Sequence, residues 1–194
     1  SLSNGQIAQF KSMFRLNFRR SRNPSPSKIS ICWLIKFYGD INAKGPSIQL
    51  LNNNLTANKK SEAEYETVLG NVPIKDGVHY WEIKIEKFVE LDDVIIGVVQ
   101  QGVDLKKDCL KPENSMVGYA QAAEKYTQGA GGGPIAKEYG GCAKIGDTIG
   151  IIFEFKNGMA HLSFLKNSTP LGVCFNNIPP GCYLPCACLY YGEV

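Results

Sequence analysis

The sequence predicts an all-β fold, an antiparallel β-sandwich, and three observations predict it. Short runs either alternate apolar and polar residues or are almost wholly apolar and β-branched. Turn signals rich in Gly, Asn and Pro separate those runs at short intervals. Composition agrees, with 20 Gly and 10% aromatic residues suiting many strands and tight turns, and a hydrophobic fraction of 44% suiting one packed core. The 194 residues suffice for a single domain with an added arm.

That arm comes first. Asn4 can cap a helix, and Ile7, Phe10, Phe14 and Phe18 then recur at spacings that share one helical face, with Lys11, Arg15 and Arg19 away from it. Asn23-Pro24-Ser25-Pro26-Ser27 ends the helix, because proline cannot continue it. Residues 1–30 hold six of the 21 basic residues and no acid; the remaining 15 basic residues face 18 acidic ones, so a basic arm precedes a mildly acidic domain at 31–194. Such a helix can dock on its own domain, bind a partner or lie on a membrane.

In the domain, Ile29–Tyr38 reads as a strand, Gly39–Pro46 as a loop, Ser47–Leu51 as a strand, Asn52–Asn54 as a turn and Tyr65–Leu69 as a strand. Gly77–Glu86 is the clearest strand. His79, Trp81, Ile83 and Ile85 alternate with Val78, Tyr80, Glu82 and Lys84, making Trp81 a core anchor. Val94–Val99 is apolar throughout, as in a strand buried on both faces, and Gly97 within it signals close backbone approach. Gln100–Ser115 is a long polar loop and so a functional candidate. Met116–Ala120 follows as a strand, then a glycine-rich excursion at Gly129–Pro134. Thr148–Phe155 and Met159–Leu165 form a hairpin about Asn157-Gly158, with Leu162 and Phe164 on one face. Leu171–Phe175 and Tyr183–Tyr190 complete at least nine strands.

Chemistry-bearing patterns are weak. Gly141–Thr148 lacks the Lys that a phosphate loop places after its last Gly, and Asp147 stands there instead. His161 and Ser163 share a strand face without an accompanying acid or nucleophile elbow. Glu90, Asp92 and Asp93 lack the alternating ligand spacing of a calcium cage. Cys182, Cys186 and Cys188 include no Cys-x-x-Cys pair, so small buried thiols fit better than zinc. Seven Cys, an odd count without a secretion signal, point to reduced thiols and an intracellular setting, cytoplasmic or nuclear. No apolar run reaches the length of a membrane helix. No enzyme activity, metal or cofactor is expected.

Gly77-Val-His-Tyr-Trp-Glu-Ile83, Ile96-Gly-Val-Val99, Gly118-Tyr119, Gly146-Asp-Thr-Ile-Gly150, Gly158, Leu162-Ser-Phe164, Asn167, Gly172-Val-Cys-Phe175 and Tyr183-Leu-Pro185 follow one another as the ordered motifs of the SPRY domain do. The chain resembles that family over roughly residues 45–194. The resemblance implies a bent β-sandwich that recognises a protein or peptide through loops at one end, in ubiquitin-ligase adaptors or scaffolds among other settings. In the SOCS-box SPRY adaptors an apolar-Trp-Gly triplet follows the Leu/Tyr-Pro strand; here the place reads Tyr190-Tyr191-Gly192, with Tyr for Trp. The family usually adds one more strand beyond the position of Val194, and the basic arm lies outside its pattern.

The expected partner surface therefore combines the Gln100–Ser115 loop, the Ala57–Glu66 region and Tyr190-Tyr191-Gly192, with Tyr65, Leu105, Lys106, Tyr190, Tyr191 and Gly192 as contact residues. The chain is expected to act as a monomer on a protein or peptide, not on nucleic acid or a membrane. The alternatives are a sandwich that binds a sugar or other small molecule, and tethering to a membrane or nucleic acid by the arm.

Overall fold

The structure is a computed structural model, and it describes residues 32–34, 39–59, 65–88, 94–103, 105, 117–120, 124–127, 134–136, 139–190 and 192–194. The amphipathic helix and linker expected before residue 31, the acidic cluster at Glu90–Asp93 and the glycine-rich run at 129–133 lie outside these residues.

Every regular element among the described residues is a strand. In chain order they are β1 (Cys32–Leu34), β2 (Gly39–Lys44), β3 (Ile48–Leu51), β4 (Thr56–Lys59), β5 (Glu66–Gly70), β6 (Val78–Lys84), β7 (Val94–Gln100) and β8 (Val117–Ala120). They continue as β9 (Glu124–Thr127), β10 (Pro134–Ala136), β11 (Thr148–Lys156), β12 (Met159–Lys166), β13 (Thr169–Ile178), β14 (Tyr183–Leu189) and β15 (Gly192–Glu193). Three sheets result: β1-β6-β11-β12-β13, β10-β9-β8-β7-β14-β5-β2 and β15-β4-β3.

The alternation of the sequence decides which faces meet. Trp81 and Ile83 of β6, Ile149, Ile151 and Phe153 of β11, and Ala160, Leu162 and Phe164 of β12 form the inner face of the five-stranded sheet, all almost fully buried. Val68 of β5, Val94, Ile96 and Val98 of β7, and Ala187 and Leu189 of β14 meet them from the seven-stranded sheet. This is the main core, with Trp81 at zero exposure. The area these side chains remove from water is the chief stabilising term.

β5, β7 and β14 are buried on their other face too. Leu69, Ile95, Val99, Cys186 and Cys188 form a second apolar cluster there, with Ala43, Tyr65, Val103, Leu105 and Leu184 packed against it. A chain of consecutive apolar residues, rather than an alternation, is the signature of such two-sided burial. Gly97 is required in β7 because a Cβ would sit 2.0 Å from the Val117 carbonyl oxygen of β8. Asn157 and Gly158, with φ of 54° and 78°, make the tight β11–β12 hairpin.

Several expectations are corrected. Residues 39–44 are not a loop but the edge strand β2, paired to β5 with a shifted register. Its side chains carry no strict alternation, and only Ile41 and Asn42 are exposed along this edge. The sandwich is not wholly antiparallel, since β1 runs parallel to β6 through Cys32↔Val78, Trp33↔His79 and Leu34↔Tyr80. Within Ile29–Tyr38 only Cys32–Leu34 is described as strand. β4, β9, β10 and β15 are additional, and β13 extends well beyond Leu171–Phe175. The expectation of reduced thiols fails at Cys188, which is disulfide-bonded, whereas among the described residues Cys142, Cys182 and Cys186 keep free thiols.

Candidate functional site

The ladder between β14 and β5 fixes the geometry of the site. Cys188 pairs with Thr67 and Leu189 with Glu66. One step further out, Tyr190 leaves β14 where Tyr65 enters β5, so antiparallel register sets the two aromatics opposite each other. Their ring centroids are 5.1 Å apart, with planes tilted by 49°, a separation at which aromatic pairs attract beyond simple area burial. Both rings are half-buried. Tyr65 and Leu105 also share a floor, since both pack against the cluster of Leu69, Ile95, Val99, Cys186 and Cys188. Leu105 arrives by way of the segment that leaves β7 at Gln100.

Behind Tyr190 the chain passes from the seven-stranded to the three-stranded sheet. Gly192 pairs with Lys59 and Glu193 with Asn58. Val194 and Ala57 then exchange two backbone hydrogen bonds, of 2.8 and 3.0 Å. Lys59 is 1% exposed. Its ammonium donates to the Tyr190 carbonyl oxygen at 3.0 Å and lies 6.0 Å from the centroid of the Tyr190 ring, at the edge of cation–π range.

Of the six expected contact residues, Tyr65 and Tyr190 are in ring contact and Leu105 packs against the same cluster as Tyr65, whereas Gly192 lies in β15 opposite Lys59. Lys106 and Tyr191 lie outside the described residues. Lys59 was not singled out from the sequence, although the Ala57–Glu66 region was. Thr56-Ala-Asn-Lys59 is a polar run, and nothing in it announces a strand or a buried amine.

The other patterns resolve into structural roles. The Asp147 carboxylate accepts from the Lys144 backbone N–H at 2.8 Å and from Asn167 Nδ2 at 2.7 Å, while Thr148 N–H donates to Asn167 Oδ1 at 2.9 Å. Burial pushes the Asp147 carboxyl up, but these hydrogen bonds, with the charges of Lys166 and Lys144, outweigh it and leave it below its usual value. The carboxylate ties one turn to the next. His161 Nδ1 lies 3.1 Å from Asn176 Oδ1, and Glu154 sits opposite His161 in the register. Burial pushes the Cys186 thiol far above its usual value despite a backbone hydrogen bond from Gly97, so it is no nucleophile at neutral pH. Among the described residues no group of three or more His, Cys, Asp or Glu is placed to hold a metal ion. No helix among them is long and apolar enough to cross a membrane.

Comparison with known proteins agrees with this architecture. The family model of the SPRY domain matches residues 78–194. The E3 ubiquitin-protein ligase TRIM9 of Drosophila melanogaster is 29% identical over 135 residues, which is 69% of this chain. The chain spans 18% of that relative's length. The crystal structure of the SPRY domain of human HERC1 superposes with a TM-score of 0.60 at 18% identity, covering 79% of this chain and 91% of that one. A crystal structure of a human SPRY domain gives 0.61 at 20% identity, with 78% and 94% covered. The TRIM65 PSpry domain gives 0.59 at 15% identity, with 82% and 90% covered.

Proposed function

The chain belongs to the SPRY domain family, whose members are protein-interaction modules, and on that premise we propose that it is a non-catalytic module gripping a partner protein or peptide at the Tyr65–Tyr190 rim. The observation that carries this reading is the half-buried aromatic pair beside Leu105, on a floor of fully buried apolar residues. Aromatic anchors at the margin of a rigid floor supply large contact area at low cost in conformational entropy. Lys106, Tyr191 and Gly192 belong to the same proposed surface by their place in the sequence. The relative named as a ubiquitin ligase supports a role as the recognition part of such an enzyme or of a scaffold. That relative and the free thiols of Cys142, Cys182 and Cys186 favour an intracellular setting, and the Cys188 disulfide pulls the other way.

The test begins with partners captured by the wild-type domain from a lysate of its own source, followed by affinities for the purified partner. Tyr190→Ala and Leu105→Ala should each weaken binding at least about tenfold, the scale of an interface hot spot, while the thermal melt stays cooperative. Unchanged affinity in both folded variants overturns the assignment of this surface.

A further inference from the structure

Resting on that reading of the rim, we infer that Lys59 is the positioning residue of the tyrosine pair. Tyr190 belongs to neither of its flanking strands: Leu189 ends β14 in the seven-stranded sheet, and Gly192 begins β15 in the three-stranded one. The chain changes sheets between Leu189 and Gly192, beside the ring contact with Tyr65. Lys59 stands at that crossing. Its backbone, in β4, pairs with Gly192 on the far side of Tyr190, and its amine holds the Tyr190 carbonyl at 3.0 Å while reaching the ring of the same residue. One side chain thus holds the backbone of Tyr190 and lies within reach of its ring.

Burial makes this role specific. At 1% exposure the ammonium is out of reach of a partner, so Lys59 acts through Tyr190 and not by direct contact. An ammonium inside a protein carries a desolvation cost that an aliphatic side chain of similar length would not. Packing alone therefore does not account for a lysine here, and one of its donors goes to the Tyr190 carbonyl. The surface accordingly offers a partner no salt bridge to this lysine.

The experiment is a comparison of aromatic NMR spectra of the whole chain for wild type, Lys59→Met and Ile48→Val. Ile48 pairs with Lys59 across β3 and β4 and is equally buried, so Ile48→Val loosens the same sheet and leaves the amine alone. Cross-peaks between the Tyr65 and Tyr190 rings should be present in wild type and Ile48→Val and lost in Lys59→Met. On a captured partner, Lys59→Met should lower affinity about tenfold, by the same factor at low and at high salt. Cross-peaks retained in Lys59→Met, or lost equally in Ile48→Val, overturn the inference. A loss that vanishes at high salt overturns it as well, because the lysine would then act as an exposed charge. Should Lys59→Met fail to fold, the wild-type cross-peak between the Lys59 ε-methylene and the Tyr190 ring decides: its presence supports the placement and its absence refutes it. The outcome is separable from that of the rim itself. Tyr190→Ala that binds normally refutes the rim, whereas Tyr190→Ala that loses binding beside a normal Lys59→Met refutes only the lysine's role.

Discussion

Replacing Gly97 with Ala tests whether the central sheet is as tightly drawn as the structure shows. A Cβ at this position would lie 2.0 Å from the Val117 carbonyl oxygen, 2.7 Å from the Gly118 Cα and 2.9 Å from the Val117 carbonyl carbon. All three are backbone atoms, so no side-chain rotation relieves the clash. β7 and β8 must separate, and they pair over Ile95↔Ala120 to Val98↔Val117. Overpacking of a closed interior costs about 1–3 kcal/mol. Disturbing two ladder hydrogen bonds adds about 1 kcal/mol each. A total near 3–5 kcal/mol follows, and at about 2–4 °C per kcal/mol for a domain of this size the melting temperature should fall by ~6–20 °C. Circular dichroism melts measure that fall, and hydrogen exchange should show its origin as lost protection in β8 with retained protection in β14. The clash points towards β8, while β14 pairs on the opposite edge of β7. Partner binding by the folded fraction at 20 °C should consequently persist. A melting temperature within ~2 °C of wild type would show that the two strands are not held at this distance, and the argument from two-sided burial would fall with it.

Three further outcomes are expected. The Asp147 carboxyl is held below its unfolded value of 3.8, so the stability it contributes is fully present above that value and is lost as the pH falls through its lower folded value. Urea midpoints of wild type and Asp147→Asn should therefore differ at pH 7 and converge as the pH falls through and below the carboxyl's folded value; a gap that stays constant as the pH is lowered contradicts the role given to the carboxylate. Gly158→Ala meets no atom within 4 Å but must keep a φ of 78°, so it should cost about 1–2 kcal/mol by backbone strain alone, and a neutral effect in urea melts would refute the hairpin geometry. Exposed Cys142 should react with a maleimide in the native state, and fully buried Cys186 should react only on unfolding, as peptide mapping by mass spectrometry can show.

Much of this was legible in the residues, and the reasons divide cleanly. β6 and β12 alternate, β7 does not, and these patterns reveal one buried face or two because burial acts on each side chain directly. β2, β4 and β9 escaped notice because their sequences are largely polar, and β10 because it is only three residues long. The parallel pairing of β1 is likewise a matter of backbone register, which composition does not encode. Tyr190 and Tyr65 were found by position and aromatic character; that they touch follows only from the register of β14 on β5. Lys59 was beyond such reading, since a lysine in a polar run reads as a solvated surface residue and only the three-dimensional crossing of two sheets makes it an internal donor. Cys188 shows the same limit: counting cysteines suggested reduced thiols, and Cys188 is in a disulfide.

Two-sided burial also constrains where recognition can occur. Ile95, Cys186 and Cys188 have no exposed surface on the outer side of the seven-stranded sheet, and Leu69 and Val99 have almost none. A partner cannot reach that floor without displacing what covers it, which would forfeit most of the second cluster's contribution to stability. The residues around it, Tyr65, Leu105 and Leu184, are only partly buried, and Tyr190 joins them through Tyr65. Affinity then comes from the rim and rigidity from the floor. It follows that substitutions in the floor, such as Val99→Ala, should lower stability and partner affinity together, by loosening the support of the aromatic pair. Substitutions at the rim should separate the two, sparing the fold while weakening the partner, and that contrast distinguishes a recognition surface from a stretch of ordinary core that happens to reach the surface.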